Sequence, residues 1–182
     1  RPRRGTALPR EAIREAARGG LESLPAERRA ALGLDAALPG AAEADLVEAL
    51  RVGHCNLLPE PALQAMRGVQ RLRDAAMADA MLMARVETAE PGGTRPAVLI
   101  AGNGHTRPDH GVPWYLARRA PAAGSVSVAL AEVAAGADDP AAYGGFGGSD
   151  FLIFTPAWDD KDHCEGLAER FSAPAGDGGK DE

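Results

Sequence analysis

The sequence predicts an α/β fold, with a mainly parallel sheet flanked by helices. Three short apolar segments bounded by Gly and Pro, residues 97–101, 124–130 and 151–154, have the pattern of strands. Helical periodicity dominates the first half of the chain, and its longest run covers about residues 61–87. Strands separated by helical connections pair in parallel, because a parallel connection needs a long crossover.

The composition excludes several classes of protein. The chain has 182 residues, 45% of them hydrophobic, which suits one domain with a sizeable core. A formal net charge of -6 with no basic block argues against nucleic-acid binding, since phosphates need clustered Lys and Arg. No apolar run approaches the roughly 20 residues that cross a bilayer. The composition therefore indicates a small ligand or a protein partner.

Three helices are expected before the long one. The first covers about residues 10–18, begins after Pro9 and is closed by a pair of glycines. A short helix lies within residues 21–40, where Pro and Gly interrupt the pattern, and another covers about residues 42–51. Few apolar residues mark the first helix, so we expect it on the surface.

The long helix at about residues 61–87 has two apolar rows and is expected to be buried over a wide arc. The rows consist of Leu63, Met66, Met77, Met81 and Ala84, and of Ala65, Val69, Leu72, Ala76 and Met83. Gln70 and Arg73 interrupt the first row, and Asp74 follows them. Burying polar groups unpaired costs a few kcal/mol, so these three need partners. A buried structural network and direct ligand contact both remain open for them.

The strand at residues 97–101 is apolar throughout, which is typical of a strand buried on both faces. It ends in a glycine-rich turn at residues 102–105, whose last residue is His105. Open α/β sheets bind ligands beyond the carboxyl ends of their strands. His105 is therefore the first candidate for a functional side chain.

The remaining elements complete the predicted sheet. A short helix at residues 112–119 has Pro113 in its first turn, and with the strands on either side it predicts a right-handed crossover unit. A glycine-rich loop over residues 134–150 precedes the third strand. A helix at residues 164–171 and a disordered tail at residues 172–182 end the chain.

The chain has two cysteines, Cys55 and Cys164, which are too few for a disulfide scaffold. They either pair in an oxidising compartment or remain as buried free thiols. The sequence leaves both alternatives open.

Several spaced motifs together resemble the ChaN-like haem-binding proteins. The matching residues are Gly53-His54-Cys55, Leu58-Pro59-Glu60, Met66, Gln70, Arg73-Asp74, Met77-Ala78, Ile100-Ala101-Gly102-Asn103-Gly104-His105, Asp109, Gly111-Val112-Pro113 and Leu116. The resemblance extends from Leu8 to the turn at residues 162–164. The family is similar in turn to TIKI-like proteases and erythromycin-esterase-like hydrolases, which share a Gly-x-x-His signature.

The resemblance implies a bacterial haem-binding protein of iron acquisition, without enzymatic activity, that binds haem between the subunits of a homodimer. It also implies a periplasmic or outer-membrane-associated location, with contact to the membrane only through a lipid anchor. Such proteins have an earlier Gly-Glu-x-His segment on a first strand, and nothing in this chain matches it. We therefore expect residues 1–171 to form a single ChaN-like domain that is incomplete at its amino end.

Five polar residues are candidates for the haem site. His105 is suited to binding iron or hydrogen-bonding a propionate, and Asp109 is expected to hold its tautomer. Arg107 and Arg73 offer cationic groups for a propionate, with an ordinary surface role as the alternative for Arg107. His54, in a break between helices, either faces the same cavity or caps a helix.

The two tyrosines are the other candidates, because tyrosinate can hold haem iron. Tyr115 follows the histidine loop, and Tyr143 lies in the glycine-rich loop, where it could close over a flat ligand. The predicted iron ligands are accordingly His105 and Tyr115, with ordinary packing as the alternative role for both tyrosines.

Haem binding by loops beyond the strand ends is the function that this sequence favours. A hydrolase of the related group is the alternative, with His105 as general base or metal ligand. A scaffold fragment without activity is a third hypothesis.

Overall fold

The computed structural model of the chain describes residues 8–87, 96–134, 136, 139, 146, 148–159 and 161–172. Within these residues it contains six α-helices and two strands. The helices are α1 (Arg10–Gly19), α2 (Ala26–Leu32), α3 (Gly40–Gly53), α4 (Glu60–Glu87), α5 (Val112–Arg119) and α6 (His163–Ser172). The strands are β1 (Val128–Val133) and β2 (Phe151–Pro156). The predicted α/β class is confirmed, but the sheet is smaller than expected.

The hydrophobic core forms around α4, against which α1, α3 and α5 pack. Four of its apolar residues have no exposed surface: Leu63, Leu72, Ala75 and Ala78. The wide apolar arc predicted for this helix is therefore present. The arc narrows toward the carboxyl end, where Met83 of the second predicted row is half exposed.

The two strands form a parallel pair, with Val128 opposite Phe151 and Val133 opposite Pro156. This confirms the second and third predicted strands. The second begins at residue 128 rather than 124, because its partner strand starts only at Phe151 and offers no ladder to earlier residues.

The structure corrects the prediction of a first strand at residues 97–101. Residues 97–101 are extended but belong to no ladder in the described part of the chain, and the paired crossover unit does not form there. Leu99 and Ala101 pack against the helical core, whereas Val98 and Ile100 are 84% and 94% exposed. The prediction that residues 97–101 are buried on both faces is therefore wrong. One face lies on helices, and no described element covers the other.

The helix predictions are confirmed to within a few residues at each end. The short helix expected within residues 21–40 is α2, preceded by a 3₁₀ turn at Leu21–Ser23. Residues 173–182 of the predicted tail, and most of the glycine-rich loop including Tyr143, lie outside the described residues. No described helix is both long and apolar enough to span a membrane.

A disulfide joins Cys55, just after α3, to Cys164 in α6. The sequence left a disulfide and two free thiols as alternatives, and the structure contains the disulfide. Cys55 and its neighbour Asn56 both have a φ of 58°, a left-handed conformation that is uncommon for residues other than glycine. The bridge ties the last described helix to the turn between α3 and α4.

Candidate functional site

The candidate site is built on the turn that follows residues 97–101. The chain closes a short 3₁₀ turn at Asn103–His105, in which the His105 amide donates to the Gly102 carbonyl at 2.9 Å. Gly111 lies against the same turn. A Cβ atom at Gly111 would lie 2.5 Å from the His105 carbonyl oxygen and 2.8 Å from that of Arg107. Only glycine fits there, and it fixes the position of the His105 backbone.

The side chain of His105 meets two residues of α4. Its Nδ1 lies 2.5 Å from Oδ1 of Asp74 and 3.0 Å from Nε2 of Gln70. Asp74 is completely buried, while the His105 side chain is 22% exposed. When Nδ1 carries the proton, the buried Asp74 carboxylate accepts its hydrogen bond, and in that tautomer Nε2 keeps its lone pair. The imidazole thereby presents one nitrogen for a ligand or a proton.

Asp74 is electrostatically unusual. Burial raises the pKa of its carboxyl to about 6, although the hydrogen bond and charge of His105 oppose this shift. Its second oxygen, Oδ2, is buried without a hydrogen-bond partner among the described residues. A carboxyl group whose pKa lies near neutral pH is a common feature of functional sites.

Asp109 differs from its predicted role. Its two carboxylate oxygens accept hydrogen bonds from Nε and Nη2 of Arg107, at 2.9 and 2.5 Å. Burial alone would raise the pKa of Asp109, but the Arg107 hydrogen bonds hold it below its ordinary value. Arg107 also lies 3.5 Å from Asp45 of α3. Arg107 and Asp109 lie two residues apart on one loop and form an ion pair with each other. The carboxylate that contacts His105 is that of Asp74.

His110, next to this pair, is fully buried, and neither ring nitrogen has a hydrogen-bond partner within the described residues. Its Nε2 lies 3.8 Å from the Asp109 carboxylate. Burial lowers the pKa of His110, so the ring is neutral near pH 7.

Tyr115 lies in the hydrophobic core rather than at the surface. It is 1% exposed, its ring is edge-on to that of Trp114, and its hydroxyl accepts a hydrogen bond from Arg71 at 3.2 Å. Burial also raises the pKa of this phenol, which disfavours the tyrosinate form. Its surroundings therefore match the packing role that the sequence left open.

The remaining predicted residues are not joined to His105 by any described contact. Arg73 is exposed, and the arginine that α4 buries is Arg71, which donates to the Ala36 carbonyl at 2.6 Å. His54 follows α3, and its Nδ1 lies 2.7 Å from the Leu50 carbonyl oxygen, as expected for a residue at a helix end. Tyr143 lies outside the described residues.

The sequence places Asp74 beside Gln70 and Arg73 on α4 but does not by itself assign it to His105. The available signal was the spacing of Gln70 and Asp74, which are four residues apart and so lie on one face of α4. Across the described part of the chain, no group of three or more His, Cys, Asp or Glu residues is arranged to hold a metal ion. Among these residues, the arrangement is thus a single imidazole in contact with a buried carboxylate.

A model of a known protein family matches this chain. The family described as "Haem-binding uptake, Tiki superfamily, ChaN" matches residues 1–116, which include both Asp74 and His105. Comparisons with curated proteins and with solved structures gave no significant match.

Proposed function

The chain belongs to the haem-binding uptake family of ChaN and the Tiki superfamily, and from this membership we propose that it binds haem with His105 as an iron ligand. The observation that carries the proposal is the contact of 2.5 Å between His105 Nδ1 and the buried Asp74 carboxylate. A histidine that ligates a metal usually donates its other ring N–H to such a carboxylate, which orients the ring and makes it more basic.

The residues present fit ligation of a haem iron, which His105 would hold. His105 offers Nε2, and Asp74 increases the electron density on the ring, which favours ferric iron. When bound, haem would supply an iron atom that accepts the His105 imidazole as a ligand. Tyr115 is left out of the proposed ligand set, because its hydroxyl is buried against Arg71.

A haem propionate needs a cation. Arg73 precedes Asp74 on α4, is exposed, and has no ion pair within the described residues. We propose it as the propionate partner, since an arginine offers two parallel N–H donors to a carboxylate. Arg107 is less suited to this role, because Asp109 already takes two of its donors.

We propose a periplasmic or outer-membrane-associated location and a homodimer. The Cys55–Cys164 disulfide supports the location, because disulfides persist in oxidising compartments and are rare in the cytosol. The exposed apolar side chains of Val98, Ile100 and Leu130 support an interface on that side of the molecule.

Ferric haem titration followed by the Soret band tests the haem proposal. The wild-type chain is expected to saturate at a defined ratio of haem to protein. The His105→Ala variant is expected to lose roughly 10–100-fold in affinity or more. The His54→Ala variant is the matched control, because it removes a half-buried histidine that does not contact Asp74.

A second variant distinguishes lost ligation from lost folding. In His105→Gly, free imidazole is expected to enter the vacated space and to restore the Soret band of the wild-type complex. Saturable binding that is equally strong in His105→Ala and wild type would contradict the proposal, as would failure of the wild-type chain to saturate at any ratio.

Hydrolysis is the second candidate function, and the same Asp74–His105 pair favours it. An imidazole whose Nδ1–H is held by a carboxylate can act as a general base through Nε2. Turnover of ester or peptide substrates that is lost in His105→Ala and unaffected by haem would favour this function over haem binding.

A further inference from the structure

His110 is a buried ionisable side chain that takes no part in the proposed haem site. It has no exposed surface, and neither ring nitrogen has a hydrogen-bond partner within the described residues. Each of these nitrogens has lost its hydrogen bonds to water without a replacement, at a cost in free energy. A phenyl ring would fill nearly the same space without that cost, so hydrophobic packing does not by itself explain a histidine here.

Three charged groups among the described residues face the His110 ring: Asp109 and Arg107 of its own loop, and Asp45 of α3. Asp109 lies 3.8 Å from Nε2 of His110, but both of its oxygens already accept hydrogen bonds from Arg107. The Asp45 side chain is 61% exposed, so water screens its charge. A proton on His110 would therefore place a positive charge in the interior with little compensation.

The two protonation states of His110 prefer different surroundings. The neutral ring is tolerated in the interior, whereas an imidazolium without a full counter-charge is more stable in water. Burial accordingly lowers the pKa of the His110 imidazole below its ordinary value of 6.5. A conformation that exposes the ring to water regains the ordinary pKa, so acid favours that conformation over the buried one.

The backbone couples His110 to His105. Gly111, the next residue, donates its N–H to the Arg107 carbonyl at 2.8 Å. It also lies so close to the His105 backbone that a Cβ atom would be 2.5 Å from the His105 carbonyl oxygen. An outward movement of His110 therefore displaces Gly111, and with it the backbone that holds the His105 ring against Asp74.

We propose that His110 makes the loop of residues 105–111 open in acid: protonation drives the buried ring into water, and the movement withdraws His105 from Asp74. The opening is a property of the ligand-free chain. Its consequence rests on the proposed function and deepens it, because a loop that opens in acid would hold haem at neutral pH and release it as the pH falls.

Hydrogen exchange of the Gly111 amide in the ligand-free full chain tests the opening. Exchange rates are corrected for intrinsic exchange and compared between wild type and His110→Gln, whose side chain does not titrate. The protection of wild type relative to the variant is expected to fall about tenfold between pH 7.5 and pH 5.5, because the exposed ring titrates near its ordinary pKa. Asp74 titrates in both proteins, so the comparison isolates His110.

Two controls accompany this measurement. His54→Gln makes the same exchange at a half-buried histidine that follows α3, and it should behave like wild type. The Leu72 amide, in the buried part of α4, reports global unfolding and should keep its protection throughout. If His110→Gln does not fold, His110→Phe provides the same comparison. A relative protection that does not change with pH, or an equal loss at Leu72, would overturn the local opening.

Ferric haem titration at the same two pH values tests the consequence. Wild type and His110→Gln are expected to bind haem equally at pH 7.5, and wild type to lose about tenfold more affinity on going to pH 5.5. Equal losses in the two proteins would overturn acid release through His110. Failure of both to bind haem at pH 7.5 would contradict the proposed function instead, and the exchange of the Gly111 amide would still decide whether the loop opens.

Discussion

At the residue scale, the candidate site is formed around the contact between His105 and Asp74. The imidazole lies on a loop and the carboxylate on the buried face of α4, and the contact between them joins the two. In the proposed haem site Asp74 would act through His105 as a positioning residue, whose loss should change the properties of the imidazole and not only the stability of the fold.

Replacing Asp74 tests this role directly. Asp74→Asn keeps the size of the side chain but removes the charge that makes His105 basic. Ferric haem affinity is expected to fall by roughly 10–100-fold, and the reduction potential of the bound haem is expected to rise, because ferric iron is no longer favoured. Asp79→Asn, which removes a carboxylate of the same helix paired with Arg119, is the control. An unchanged potential in Asp74→Asn would contradict the positioning role.

The buried carboxyl of Asp74 also predicts a pH dependence of stability. Because its pKa in the fold, about 6, lies above the ordinary 3.8, the folded state holds this proton where the unfolded state has lost it. The contribution of Asp74 to the free energy of unfolding is therefore present below about pH 4 and is lost as the pH rises through about 6. Urea unfolding of wild type and Asp74→Asn across this range measures it. The variant should gain stability relative to wild type as the pH rises, and a constant difference would contradict the prediction.

Gly111 determines the backbone position of the histidine loop. A methyl group there would overlap the carbonyl oxygens of His105 and Arg107, so Gly111→Ala is expected to cost about 1–3 kcal/mol in the free energy of unfolding. Gly102→Ala is the control in the same loop, because a Cβ atom there meets nothing within 4 Å and the φ of −63° is ordinary. Thermal unfolding of the two variants compares them. Equal losses would show that the close approach is not the cause.

At the scale of elements, the helices pack around α4, and the disulfide attaches α6, the last described helix. α1, α3 and α5 all pack on α4, which also supplies Gln70 and Asp74 to the site. α6 is joined to this layer by the Cys55–Cys164 bridge. The helical layer is therefore organised by apolar packing at its centre and by a covalent bond at its edge.

The disulfide should contribute measurably to stability. It spans a sequence separation of 109 residues, and closing so long a loop restricts the unfolded chain strongly. Replacing both cysteines by Ser is expected to lower the free energy of unfolding by about 2–4 kcal/mol. A reducing agent should have the same effect on wild type and none on the double variant. Detection of two free thiols in unfolded, unreduced wild-type protein would contradict the pairing.

At the scale of the whole molecule, one face of the sheet region is apolar and exposed. Its large side chains are Val98, Ile100, Leu130, Phe151 and Ile153. Faces of this kind usually mark an interface, because water is excluded when they pack. The proposed homodimer would use this face.

Sedimentation tests the dimer. The wild-type chain is expected to self-associate, and the double variant Ile100→Lys, Leu130→Lys to do so at least about tenfold more weakly, since two charges cannot be buried unpaired. Val52→Lys, at an exposed position on α3, should behave like wild type. A monomeric wild type, or a dimer unaffected by the double variant, would contradict this interface.

The sequence by itself determined the helices, because their signals are local. Proline before α1 and α4, glycine after α1, and apolar residues at helical spacing are properties of short stretches of chain. The paired strands β1 and β2 were also predicted, since both have strong apolar patterns between turn residues. The position of His105 just after an extended apolar segment was likewise predictable from the local sequence.

Only the tertiary structure decided what depends on distant partners. Residues 97–101 have the composition of a buried strand, but their pairing requires a neighbour, and the described chain provides none. The partner of His105 is Asp74, 31 residues earlier in the sequence, rather than Asp109 in its own loop. Cys55 and Cys164 are 109 residues apart and pair because the fold brings α6 to the turn after α3. Periodicity and turn residues act over a few residues, whereas ladders, buried ion pairs and disulfides depend on which segments the packing brings together.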